Sequence, residues 1–107
     1  MPGGSPYTFV FAPEVAAHLH AIQRKYHALI RREIHLQLRF KPNGRTRNRK
    51  PLDIPALYGA QWELRLGPRN RYRVFYEVLE EPRTVRIVAI GVKDREVLRI
   101  GSEEFRQ

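Results

Sequence analysis

The segment Trp62–Val78, WELRLGPRNRYRVFYEV, sets Arg65 before a Gly-Pro-Arg-Asn turn and Arg71 and Arg73, at alternate positions, after it. If the turn joins two strands, Arg65 on the first lies beside Arg71 and Arg73 on the second, because side chains alternate across a strand. Planar guanidinium groups pair bidentately with phosphate oxygens. Such a pair suits contacts to a phosphate-bearing partner. A structural reading competes with it: Glu63 and Glu77 lie on the same two strands, and a cross-strand ion pair with either would occupy the arginines.

A second concentration of charge is the stretch Lys41–Pro51, KPNGRTRNRKP, with five basic residues and no acid. Its Pro-Asn-Gly turn chemistry predicts an exposed, mobile loop presenting Arg45, Arg47, Arg49 and Lys50. The four histidines, His18, His20, His27 and His35, lack the i, i+4 pairing of a helical zinc site and form no HExxH motif, so they read as surface residues and no metal or other cofactor is expected. Trp62, Tyr72, Phe75 and Tyr76 read as core, with only Phe75 on the face of Arg73.

Twenty Lys and Arg against eleven Asp and Glu leave a net charge of +9. Charge of that size draws polyanions by steering and counterion release, so the expected partner is nucleic acid or an acidic protein. With no cysteine, disulfides and thiolate metal sites are excluded, and a cytoplasmic location is the default expectation. The longest apolar run, around Val85–Val92, is broken by Arg86 and falls well short of the ~20 residues a membrane span requires. Residues 1–6, rich in Gly, Pro and Ser, are expected to be a disordered lead-in to a single domain over residues 7–107.

The elements that must position these cations follow from the apolar spacing. Tyr7, Phe9 and Phe11 alternate as a first strand. Pro13 and Glu14 suit a helix start. Val15, Leu19, Ile22 and Tyr26 then share one helix face, with His18, Gln23, Arg24 and Lys25 opposite. A break at His27–Ala28 and a second helix through Ile30, Ile34 and Leu38, with Arg31, Arg32 and Arg39 outside, would complete a helical hairpin; one bent helix over Pro13–Phe40 is the competing reading. Leu52, Ile54, Leu57 and Tyr58 are expected to pin the next segment to the core before Gly59. Strands follow at Trp62–Leu66, Arg71–Val78 and Thr84–Val92, the last apolar enough to be central. Lys93–Glu96 ends it, and Val97–Phe105 is expected to be a short tail with a helical turn. The predicted class is α+β in the order β-α-α-β-β-β, a helical hairpin packed on a small, mostly antiparallel sheet.

This pattern resembles the RelE/ParE superfamily of toxins from type II toxin-antitoxin systems. There a strand whose arginine stands two residues before a glycine turn leads into a strand with Tyr-Arg followed by apolar residues, as in Arg65, Gly67, Tyr72 and Arg73. Pro42, Lys50, Pro51 and Leu52 before these strands, and Ile90, Gly91, Lys93 and Arg95 after them, extend the resemblance across Tyr7–Phe105. For the RelE-like branch it implies a metal-independent endoribonuclease that cleaves messenger RNA, often on the ribosome, and so inhibits translation. Arg65, Arg73 and Lys93 then match the catalytic positions, and Arg45, Arg47, Arg49, Lys50, Arg71 and Arg95 the RNA-binding ones. The resemblance also implies a cognate antitoxin covering the basic site. One departure stands out: several RNA-cleaving members carry a tail tyrosine or histidine as candidate acid or base, and Asp94–Gln107 has neither. A ParE-like protein that poisons DNA gyrase by protein contact is the alternative that departure favours, and a non-catalytic RNA-binding domain is the third reading.

Overall fold

A computed structural model describes residues 4–52 and 57–106; the expectation for Ile54 and for the Leu57 side chain lies outside what is described. Seven strands and two helices follow in the order β1 (Thr8–Phe11), α1 (Glu14–His20), α2 (His27–Leu38), β2 (Arg49–Pro51), β3 (Trp62–Leu66), β4 (Tyr72–Glu80), β5 (Arg83–Asp94), β6 (Val97–Ile100) and β7 (Glu103–Arg106). They form one sheet in the order β2-β3-β4-β5-β6-β7. β1 runs parallel to β5, and every other neighbouring pair is antiparallel. The α+β class and the helical hairpin on a mostly antiparallel sheet are therefore as expected.

Burial follows the alternation. Leu64, Leu66, Tyr72, Val74 and Tyr76 turn toward α1 and α2, where Val15, Ile30, Ile34 and Leu38 complete the core. Between Phe75↔Ala89 and Tyr76↔Ile87 the β4–β5 register slips by one, leaving Val88 as the extra residue. This bulge resets the alternation of β5. Ile87 and Ile90 both face the helices, while Val88 and Ala89 join Phe75, Leu98 and Ile100 in a smaller core on the other face. β5 is thus covered on both sides, as its apolar run predicts.

Three local expectations are corrected. The first helix does not run to Tyr26: α1 ends at His20, Gln23 is extended (ψ 131°), and Arg24–Tyr26 is a 3-10 turn. His27 is the first residue of α2, and its Nε2 lies 2.9 Å from the Ile22 carbonyl, so the ring ties the junction by donating to a carbonyl just beyond the end of α1. The basic loop is shorter and better tied than expected, because Arg49–Pro51 pairs with β3. The tail is not helical. Arg95 (φ 59°) and Gly101 (φ 62°) occupy left-handed conformations at two tight turns, and Val97–Ile100 and Glu103–Arg106 return as strands. The alternation of Leu98 and Ile100, both buried, carries that signal in only four residues.

Among the described residues, no helix is long and apolar enough to cross a membrane.

Candidate functional site

The register of β3 and β4 puts Arg65 directly opposite Arg73, with Glu63 one step along on the same face. Glu63 is buried, at 4% exposure, and draws three cations. Arg73 Nη1 donates to Oε2 at 3.1 Å, while Arg65 Nε and Lys50 Nζ lie 3.5 and 3.8 Å from Oε1. Arg73 Nε donates to the Asn70 carbonyl at 3.0 Å, so its guanidinium is fixed at two points and its side chain is only 11% exposed. Arg65 remains 35% exposed. The ion-pair reading of these arginines is therefore realised through Glu63, whereas Glu77 pairs instead with Arg86 at 3.5 Å.

At the neighbouring end of the sheet, the Gly67–Asn70 turn and the β5–β6 turn form the two walls of an open cleft lined by Pro68, Arg69, Asn70, Arg71, Arg73, Lys93, Asp94 and Arg95. The Lys93 amide donates to the Arg71 carbonyl at 2.7 Å and fixes one wall to the other. The structure thus brings Arg71, Arg73, Lys93 and Arg95 into one cleft, while Arg65 stands outside its lining. Asp94 is the only acid among the lining residues and also faces Arg99 at 3.6 Å.

The basic loop divides. Arg45 and Arg47 are exposed. Arg49 turns inward: its guanidinium donates to the Lys41 carbonyl and to Thr46 Oγ1, and paired backbone bonds between Thr46 and Arg49 close the turn. The Asn48 carbonyl accepts the Arg65 amide at 2.8 Å, so the loop continues the sheet beside β3.

The groups able to move protons are set by burial. Tyr76 donates to the Pro42 carbonyl at 2.7 Å, and burial pushes its hydroxyl well above the usual range. Tyr72 is pushed up for the same reason, so neither tyrosine is poised to exchange a proton near neutrality. His18 departs from its expected surface position and is buried, at 6% exposure. Its Nδ1 accepts the Ile90 amide at 3.3 Å. The edge of β5 explains the placement: β1 pairs with Thr84–Ile87 and β6 with Val92–Asp94, and His18 from α1 serves a backbone donor in the gap between them. Burial lowers the His18 pKa, against the opposing pull of Glu14 and Glu103, and so favours the neutral ring this bond requires.

Sequence reasoning missed Arg69 as a cleft residue and His18 as a buried one. Arg69 lies inside a turn, where alternation gives no face, and the donor that buries His18 is 72 residues away. Among the described residues, no group of three or more His, Asp or Glu is placed to hold a metal ion.

Residues 9–103 match the family model described as ParE toxin of type II toxin-antitoxin system, parDE. No curated protein and no solved structure matches the chain.

Proposed function

The chain belongs to the ParE toxin family and is the toxin of a type II toxin-antitoxin system, and from that premise we propose that it poisons DNA gyrase by protein contact rather than by cutting RNA. The observation that carries this reading is the Glu63 cluster. A ribonuclease acting without a metal needs arginines released for the scissile phosphate and an acid and base in reach. Arg73 is instead committed to Glu63 and to the Asn70 carbonyl, and Arg65 shares the same carboxylate. The segment beyond Lys93 supplies no histidine or tyrosine.

The RNA-cleaving reading retains one supporting observation, the convergence of Arg71, Arg73, Lys93 and Arg95 on one cleft. In that reading Arg73 and Lys93 hold the phosphate, Arg65 acts from beside them, and Arg45, Arg47 and Lys50 extend the RNA contact. Both readings take residues 7–107 as one toxin unit working in the cytoplasm, and membership of the family carries with it a cognate antitoxin as partner.

Supercoiling of relaxed plasmid by gyrase, with and without purified toxin, tests the proposal. Inhibition is expected, and in induced cells DNA synthesis should fall before protein synthesis. Unimpaired supercoiling together with cleavage of translated messages would replace it with the RNA reading.

A further inference from the structure

The cleft at the end of the sheet is flanked on both walls by arginines in a backbone conformation that arginine adopts at a cost. Arg69 (φ 58°) in one turn and Arg95 (φ 59°) in the other are both left-handed, and Asn70 (φ 52°) follows Arg69. Glycine, or at lower cost asparagine, is the residue such positions favour. Strain of this kind clusters at active sites and ligand clamps, and here it recurs on two walls of one cleft.

The charge of the cleft says what for. Among its lining residues, Arg69, Arg71, Arg73, Lys93 and Arg95 stand against one acid, Asp94, which itself faces Arg99; Arg73 is also held by Glu63 from outside the lining. Among the described residues, Arg69, Arg71 and Arg95 form no ion pair with an acid. Among the described residues, no aromatic side chain lines the cleft. A groove for single-stranded nucleic acid adds aromatic rings, on which bases stack, to its positive charge, whereas the phosphates of a duplex are gripped by cationic and polar groups with no aromatic contact required.

We infer that this cleft grips the phosphate backbone of duplex DNA without reading its sequence, with Arg69 and Arg95 as the two jaws. Under the gyrase reading, the duplex is the one that enzyme holds, and the toxin contacts enzyme and DNA together. The purpose of the contact rests on that reading, but its chemistry does not.

Fluorescence anisotropy of a mixed-sequence DNA duplex, titrated with the whole chain over a series of salt concentrations, is the test. The double variant Arg69→Gly, Arg95→Gly should weaken binding more than tenfold and reduce the slope of log affinity against log salt by about two. Its melting temperature should be equal to or above that of the wild type, since glycine relieves both turns. Arg31→Ala, Arg32→Ala removes the same charge from exposed positions on α2 and should weaken binding by less than threefold.

Equal losses in the two double variants would reduce the effect to net charge and overturn the inference. So would wild-type binding that is absent at low salt, or a single-stranded RNA of equal length binding more tightly than the duplex. Supercoiling assays on the same proteins keep the two questions apart. A wild type that binds duplex DNA but leaves gyrase active would sink the gyrase reading and leave the cleft assignment standing.

Discussion

A buried carboxylate surrounded by three cations is the residue-scale device on which the face of β3 and β4 turned away from the helices depends. Removing the charge of Glu63 leaves Arg73, 11% exposed, with an unmatched positive group in a desolvated position. Glu63→Gln should therefore destabilise the fold by about 3 kcal/mol, the usual scale for breaking a buried pair from one side. Urea unfolding at neutral pH measures it, and a loss under 1 kcal/mol would mean that water already screens the cluster. His18 gives the second residue-scale prediction. Burial lowers its folded-state pKa below the unfolded value, so the unfolded chain takes up the proton first as pH falls. The stability His18 contributes is full above about pH 6.5, the usual histidine value, and is lost below it as the folded pKa is approached. Wild type should lose urea resistance between about pH 7.5 and 5.5, and His18→Asn, whose Oδ1 stands where Nδ1 accepts the Ile90 amide, should lose less. Equal losses would clear His18 of the effect. Of these features, Glu63 with Arg65 and Arg73 was legible, because a period of two puts all three on one face. His18 was not, because helical spacing sorts residues by hydrophobicity and is blind to a distant backbone donor.

At the scale of elements, β5 organises the molecule, since one of its edges is shared by two strands. β1 and β6 take its ends and α1 crosses the gap, which is why a seven-residue helix that caps poorly is held in place. The bulge at Val88 lets β5 supply both cores, and Gly91 marks where β6 closes over the strand. A Cβ at Gly91 would stand 2.8 Å from the Arg99 carbonyl and 2.9 Å from Ile100 Cγ1. Backbone cannot yield as a side-chain tip does, so Gly91→Ala should cost about 2 kcal/mol, roughly 10 °C in melting temperature for a domain of this size. A melt within 2 °C of wild type would show that β6 detaches cheaply. The strands with long alternation were readable in advance, as were the Gly67–Asn70 turn and the helical hairpin. β2, β6 and β7 were not: strands of three or four residues give alternation too few positions, and their identity depends on the neighbour they pair with.

For the whole molecule, the deciding quantity is a charge of +9 on a body of 41 × 31 × 27 Å. At about 0.01 M salt the screening length is about 30 Å, so nearly every charge feels every other, and the sum is repulsive. Near 0.1 M it shrinks to about 10 Å, and only neighbours interact. Salt also weakens the exposed pairs Arg86–Glu77, Arg99–Asp94 and Arg99–Glu104. Each of these contributes at most about 1 kcal/mol, and within the Glu63 cluster the Glu63–Arg73 pair is shielded from solvent ions by burial. With twenty cations against eleven anions, the relief of repulsion should win. The melting temperature should therefore rise by several degrees between about 0.01 and 0.1 M sodium chloride. A fall over that range would mean that the exposed pairs hold the fold more firmly than the net charge strains it. An acidic partner laid along the basic end should remove the same repulsion. Adding a short polyanion at low salt should then raise the melting temperature in wild type, and do so less once Arg69 and Arg95 are replaced.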